Sequence, residues 1–272
     1  LSTGYPYLDE SIGGGLRRKS VTLFAARPGV IKSLCAKCVA VHNAKLSIPV
    51  LLLDTEMSKE DQLHRSIAGE SSVSIREIET GKFGTDVAYT HQVFKAAQEM
   101  KDVPLYYKSI AGKSFEEIKS IIRRWLLTCV GYEDDVLNDC LVIYDYFKLM
   151  SSEILDEMSE FQALGFQIGK LHDLTVKYDF PVLSYVQLNR DGITKEDSSA
   201  ISQSDRLEWL ATSVGMFKIK TETEVNEDGR GGGDVKFLPI KGRHGMNIAQ
   251  GDYICFQRDG HIGQLHELGT KF

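Results

Sequence analysis

The sequence holds no apolar run near the roughly 20 residues that a membrane-spanning helix requires, which excludes a helical membrane protein. It also lacks an excess of positive charge: 32 lysines and arginines face 38 aspartates and glutamates, a formal net charge of −6. Domains that grip nucleic acid over a whole surface carry a basic excess, so any nucleic acid bound here is held locally. Cysteine is sparse. Cys35, Cys38, Cys129, Cys140 and Cys255 are odd in number and scattered through apolar stretches, which excludes a disulfide framework and points to a reducing, intracellular and cytoplasmic protein. Cys35 and Cys38 have the spacing of half a zinc site, but no second pair with ligand spacing follows, and residues three apart share a helix face. Both are expected to be buried helix cysteines. No charged-then-apolar leader opens the chain, and a start at Leu1 instead of Met suggests a piece of a longer protein. Six prolines and 24 glycines are nowhere concentrated into a linker, so residues 1–272 are expected to form one domain. Apolar residues at 42% and charged residues at 26% exclude a disordered chain.

Apolar runs of strand length alternate with helical patterns. The expected order begins with a strand Val21–Ala26, a helix Ser33–Lys45, a strand Val50–Asp54 and a helix Ser58–Ala68. That alternation implies an α/β fold, a mostly parallel sheet flanked by helices on both faces. Further strands are expected at Val103–Tyr107, Cys140–Asp145, Pro181–Val186, Val214–Ile219, Val235–Ile240 and Tyr253–Phe256, and further helices at Thr85–Met100, Ser114–Cys129 and Leu155–Tyr178. After Val214 the connections become short and glycine-rich, as antiparallel strands added at the edge of a parallel core would require. The least structured stretches are expected at Asn189–Ser204 and Glu222–Gly233. Trp125, beside Arg123 and Arg124, reads as the packed face of an amphipathic helix, and Trp209 as a packing anchor.

The strand Val21–Ala26 runs into Arg27-Pro28-Gly29-Val30-Ile31-Lys32-Ser33 and then a helix. A strand, a tight turn, a lysine and a hydroxyl at a helix N-terminus together make a phosphate-binding loop. Backbone N–H groups face the anion, the lysine meets the terminal phosphates and the hydroxyl meets magnesium. Two positions depart from G-x-x-x-x-G-K-[ST]: Ala26 and Ile31 stand where glycines are expected. A left-handed backbone at Ile31 would cost about 1–2 kcal/mol for an L-residue, so Ile31 is expected to weaken or abolish nucleotide binding, unless it is a substitution introduced for Gly. An ordinary strand-to-helix turn remains the alternative for this segment.

Two further strands end in carboxylates. Cys140–Asp145 places Asp145 at the C-terminal edge of a parallel sheet, where an aspartate meets a hydrated magnesium ion. Leu51–Met57 places Glu56 at the same edge, as a base that could activate water, or simply as a solvated glutamate ahead of a helix.

Taken in order, five segments resemble the motifs of DnaB-type replicative helicases: Ala25–Val30 with Lys32-Ser33, Asp54–Met57, Ile143–Met150, Gln187–Arg190 and Lys241–Gly245. The resemblance spans Leu1 to Phe256, and the departures from the cellular pattern suggest a phage-related system. Ser2-Thr3-Gly4, Leu8-Asp9 and Gly13-Gly14-Gly15-Leu16 are shared more widely among RecA-like ATPases. The resemblance implies a RecA-like P-loop ATPase core that binds ATP and Mg2+, forms a hexameric ring and moves on single-stranded DNA, with a primase and a helicase loader as partners. It implies that Arg27, Pro28, Gly29, Val30, Ile31 and Lys32 cradle the phosphates, that Ser33 and Asp145 serve the metal, and that Glu56 polarises water. Gln187 would sense the γ-phosphate, while Lys241 and Arg243, on one face of an edge strand, would reach the neighbouring subunit's ATP. His244 is equally an exposed loop residue.

For DNA the resemblance points to Met150–Leu155 and to the segment Asn189–Arg206. Arg190, Lys195, Ser202, Ser204 and Arg206 are the candidate DNA contacts, without interleaved aromatics, so phosphate contacts that are sequence-independent and salt-sensitive are expected. A ring or scaffold protein of the same fold that has lost nucleotide chemistry through Ile31 is an alternative, and a filament-forming recombinase is another.

Overall fold

The computed structural model describes residues 1–146, 160–188, 211–229, 231–244 and 252–271. In chain order its elements begin with α1 (Pro6–Ser11), β1 (Val21–Ala26), α2 (Lys32–Lys45), β2 (Val50–Asp54), α3 (Lys59–Ser71), α4 (Ile75–Thr80) and α5 (Val87–Lys101). They continue with β3 (Leu105–Ser109), α6 (Phe115–Trp125), β4 (Tyr132–Glu133), β5 (Val136–Leu137), β6 (Leu141–Asp145), α7 (Glu160–Tyr178) and β7 (Val182–Gln187). The last are β8 (Ser213–Ile219), α8 (Glu222–Asp228), β9 (Val235–Gly242), β10 (Tyr253–Asp259) and β11 (Gln264–Lys271).

Nine strands form one sheet in the order β11-β10-β9-β8-β1-β7-β6-β2-β3, and β4 and β5 make a separate ribbon. Strands β8, β1, β7, β6, β2 and β3 run parallel. Strands β9, β10 and β11 continue the sheet antiparallel. This is the expected α/β architecture.

Strand β1 shows why it lies at the centre. All six of its residues are buried, as a strand covered on both faces demands. Val21, Leu23 and Ala25 alternate onto the face covered by α6 and α7. Phe24 and Ala26 point to the other face, among α1, α2 and the antiparallel strands. On that second face Phe24 meets Phe217 of β8 edge-to-face at 5.7 Å and Phe237 of β9 at 5.1 Å. Phe217 meets Phe256 of β10 at 5.5 Å, and Phe256 meets Tyr5 at 5.4 Å. These edge-to-face contacts bind the antiparallel extension to the parallel core.

Several expectations are corrected. Strand β9 is not an edge strand, because Val235–Phe237 pair with β10 while the whole strand pairs with β8. The margin on that side is β11, a strand with no clean apolar alternation and hence no strong sequence signal. The segment Glu222–Gly233 is not irregular throughout: Glu222–Asp228 form helix α8. A capping box between Thr221 and Glu224 starts that helix. Charge pairs hold it, with Lys220 2.7 Å and Lys271 2.8 Å from Asp228. The helix expected over Ser114–Cys129 is α-helical to Trp125 and closes with a π turn, Leu126–Val130. Trp125 is buried and Arg123 and Arg124 are exposed, as an amphipathic helix predicts. All five cysteines are free, and of the helix pair Cys35 is buried but Cys38 only half-buried. Among the described residues no helix is long and apolar enough to cross a membrane.

A Cβ at Gly215 of β8 would lie 2.0 Å from the Phe237 ring. Gly215→Ala is therefore expected to destabilise the fold by about 1–3 kcal/mol. The measurement is a urea titration, and a midpoint equal to that of the parent chain would refute this account of the sheet junction.

Candidate active site

The parallel strands β1, β7, β6 and β2 all end at one edge, and the residues singled out in the sequence gather there. Strand β1 ends at Ala26, the chain turns through Arg27–Ile31, and α2 starts at Lys32. The left-handed position of this turn belongs to Gly29, at φ 72°. Ile31 has φ −159° and ψ 5°. The expected left-handed strain at Ile31 is thus absent. Its side chain, 3% exposed, joins the core beneath the turn with Val30 and Cys35. With φ negative, the cost of a left-handed β-branched residue does not arise there.

Lys32 is buried, and its Nζ donates to the Arg27 carbonyl at 3.4 Å and lies 5.0 Å from the Tyr146 ring centroid. Burial lowers its pKa, while the carboxylates of Asp145 and Glu56 raise it. Ser33 is half-buried in the first turn of the helix.

Asp145 closes β6 and is paired in register with Asp54, which closes β2. Both carboxylate oxygens of Asp145 are buried and have no hydrogen-bond partner. Burial pushes its pKa up to about 7; the Ser33 hydroxyl and the Lys32 ammonium pull it down, and Asp54 and Glu56 push it further up. Asp54 does different work. It accepts from the backbone N–H groups of Glu56 at 2.7 Å and Met57 at 2.8 Å, and from Gln62 Nε2 at 2.6 Å. Those bonds fix the turn that carries Glu56. The exposed Glu56 carboxylate accepts from the Tyr146 hydroxyl at 2.8 Å. Burial and that contact push the Tyr146 pKa up to about 12. Gln187 closes β7 in register with Ala26 and is exposed at the same edge.

A cavity of about 530 Å3 opens between these groups, bordered by Pro28–Ser33, Glu56 and Gln187 and also by Met57, Arg65 and Tyr146. Its size is that of a small-molecule site. Sequence reasoning assigned no role to Asp54, Gln62, Arg65 or Tyr146. Tyr146 follows Asp145 directly, and Arg65 and Gln62 lie on the first two turns of α3, so the signal available was proximity to a motif.

Lys241 and Arg243 are not brought to this cavity. Lys241 is in register with Val214 near the start of β8, and the Arg243 N–H donates to the Thr212 carbonyl at 3.1 Å. The Thr212 N–H in turn donates to the carbonyl of Val21, the first residue of β1. Both cations therefore sit at the opposite edge of the sheet, about 20 Å away along a six-residue strand. Arg190, Lys195, Ser202, Ser204 and Arg206 lie outside the described residues, as do Met150–Leu155 and Trp209.

The donor set suits magnesium. A hydroxyl and one buried carboxylate without partners match an ion that keeps most of its water and takes few protein ligands. Among the described residues no group of three or more His, Cys, Asp or Glu side chains could hold a metal by itself.

The profile of the DnaB-like helicase C terminal domain family matches residues 1–265. The chain belongs to this family. The match runs past Phe256, where the motif resemblance stops, into β11. Among curated DnaB-like relatives, a replicative DNA helicase DnaB of Pasteurella multocida is 28% identical over 251 residues, 90% of this chain and 51% of that protein. A probable replicative DNA helicase of Trieres chinensis is 25% identical over 193 residues, 70% of this chain and 40% of that protein. The chain thus spans about half or less of the length of these relatives. Among solved structures, an ATPase domain superposes with a TM-score of 0.81 at 19% identity, covering 97% of this chain and 90% of that one. A DnaB-like replicative helicase, studied with its interactions with primase, gives 0.79 at 19% identity, covering 97% and 61%. These superpositions establish the RecA-like DnaB fold.

The DnaB-like site makes stability depend on pH. Between the unfolded aspartate pKa of about 3.9 and the folded value of about 7, the folded chain holds a proton on Asp145 that the unfolded chain releases. Without nucleotide, stability is expected to fall as pH rises through that window, by up to about 1.4 kcal/mol per unit. Asp145→Asn should remove that slope in urea titrations at pH 5 and pH 8, and parallel curves for the two proteins would contradict it. Ile31→Gly should cost about 2–5 kcal/mol of stability through lost core packing, while calorimetric titration finds ATP affinity within a few-fold of the parent. A large gain in affinity would restore the strained-loop account.

Proposed function

We propose that this chain is the ATP-hydrolysing motor of a ring-forming replicative helicase that moves along single-stranded DNA. The observation that carries this reading is the buried Asp145 carboxylate close to Ser33, Lys32 and Glu56, at the sheet edge where the phosphate-loop turn follows β1. The relatives' names, replicative DNA helicases, agree with it.

In this reading the backbone N–H groups of Arg27–Ile31 and the start of α2 cradle the phosphates of ATP. Lys32 swings from the Arg27 carbonyl to neutralise the β- and γ-phosphates. Ser33 and Asp145 hold Mg2+ and its water shell, and the ion, when bound, supplies positive charge to the phosphoryl group as it transfers. Glu56 takes the proton of the attacking water. Its hydrogen bond to Tyr146 keeps the carboxylate oriented toward the cavity. Gln187, on the strand next to β1, donates to the γ-phosphate or accepts from water and so registers hydrolysis.

Lys241 and Arg243, too far from their own phosphate loop, act on the nucleotide of the next subunit. Such a head-to-tail contact closes into a ring, for which we propose a hexamer. Arg190, Lys195, Ser202, Ser204 and Arg206 contact DNA phosphates. Primase is a partner by analogy with the DnaB-like replicative helicase whose interactions with primase are described, and a loader is required to pass DNA into a closed ring. The alternative of a nucleotide-free scaffold loses one of its supports, the left-handed strain at Ile31, since Ile31 has φ −159°.

The test is ATP hydrolysis by the assembled full-length protein. Single-stranded DNA should stimulate it several-fold, with the stimulation lost at high salt, and Lys32→Ala and Asp145→Asn should each lower it by at least about 100-fold. A well-formed ring that hydrolyses no ATP would refute the proposal.

A further inference from the structure

The glycine run Gly13-Gly14-Gly15 is unexplained by the site at the phosphate loop. All three residues have positive φ, at 86°, 97° and 92°, a conformation in which glycine is the residue of choice. Gly13 is also crowded: a Cβ there would lie 2.9 Å from the His244 carbonyl oxygen and 3.0 Å from its Cβ. The run is thus packed against the residue that follows Arg243. Two residues beyond it, Arg17 folds back, and its Nη2 donates to the Gly13 carbonyl at 2.5 Å. The glycines therefore seat one guanidinium beside the segment that carries another.

Arg17 and Arg243 line a single cavity of about 860 Å3, on the edge of the sheet opposite the phosphate loop. The basic run Arg17-Arg18-Lys19 divides its work there. Arg18 is committed to the fold, 2.9 Å from Asp139 and bonded to the Leu137 and Asp179 carbonyls. Lys19 lies 3.7 Å from Asp179. Arg17 is exposed and has no ion pair among the described residues. Among the described residues Asp139 is the one acidic residue bordering the cavity, and Arg18 already meets it.

We propose that Arg17 is a further trans-acting cation, which binds the phosphates of the nucleotide held by the adjacent copy of this chain. This rests on the proposed ring motor, in which Arg243 faces the neighbour's nucleotide; a group sharing Arg243's cavity faces the same anion. The charges are complementary. An ATP phosphate chain approaching this cavity meets two guanidiniums, and a guanidinium presents paired donors matched to phosphate oxygens. Held by the Gly13 carbonyl, the exposed Arg17 side chain is already partly ordered, which lowers the entropy lost on contact.

The test mixes subunits of the full-length protein. Arg17→Ala alone should lower ATP hydrolysis of the assembled ring about tenfold or more, while each subunit keeps its nucleotide affinity before assembly. Lys32→Ala subunits cannot support hydrolysis at their own site but carry an intact Arg17. Mixed with Arg17→Ala subunits, they should restore activity above that of either variant alone, because each supplies Arg17 to a neighbour's competent site. The same mixture with Arg243→Ala is the control. If Arg243→Ala is rescued and Arg17→Ala is not, or if Arg17→Ala rings keep full activity, the role of Arg17 is overturned while the ring motor stands. If neither is rescued, trans action itself fails, and Arg17 with it.

Discussion

A carboxylate buried with too few hydrogen-bond donors is the constraint around which this molecule is arranged. The Asp145 side chain is held at the end of a central strand, beside the carboxylate of Asp54, and neither of its oxygens has a partner. Leaving a charge so placed costs several kcal/mol, and the protein meets that cost by keeping the proton to about pH 7. A divalent cation with its water shell would relieve the same strain more completely. Asp54 escapes the problem by accepting from two backbone N–H groups and Gln62. Two adjacent aspartates at one sheet edge thus differ, one held by three donors and the other buried with too few.

The same sheet explains why the cations fall into two sets. Lys32 and Ser33 follow β1 and lie at its C-terminal edge. Arg243 follows an antiparallel strand and so emerges at the other edge. Antiparallel pairing of β9 with β8 is what turns a single chain into an object with a phosphate face and a cation face. In the ring we propose, a subunit built that way would be completed by a copy of itself. The aromatic contacts among Phe24, Phe217, Phe237 and Phe256 keep the two faces in fixed relation, because they clamp the antiparallel strands to the central strand.

Much of the fold was legible because its strongest signals are local. The uninterrupted apolar runs Val21–Ala26, Val50–Asp54 and Leu141–Asp145 demand strands covered on both faces, and the phosphate-loop spacing demands a strand before it and a helix after it. Capping pairs such as Ser58 with Asp61 and Ser114 with Glu117 mark helix starts within four residues of sequence. Helix α8 and strand β11 were not legible. The first is acidic on every side and owes its position to charge pairs with Lys220 just before it and Lys271 far along the chain, and the second is a marginal strand that buries little. The absence of left-handed backbone at Ile31 has a similar origin: a motif prescribes glycine there, but φ is set by how the turn packs, and the turn places its left-handed residue at Gly29.

By itself, the sequence determined the chemistry available: a lysine and a serine opening a helix, carboxylates ending strands, cations near the end of the chain, and a surface with no basic excess. These follow from short-range order and composition, to which neighbouring residues alone contribute. Only the tertiary structure decided which of these groups meet. It separated Arg243 from Lys32 by the length of a strand, gave Asp54 and Asp145 different partners, and joined Gly13 to His244 across more than 200 residues. Such pairings depend on strand order and direction, which are set by the burial of both faces of the sheet and are written in no single segment of the chain.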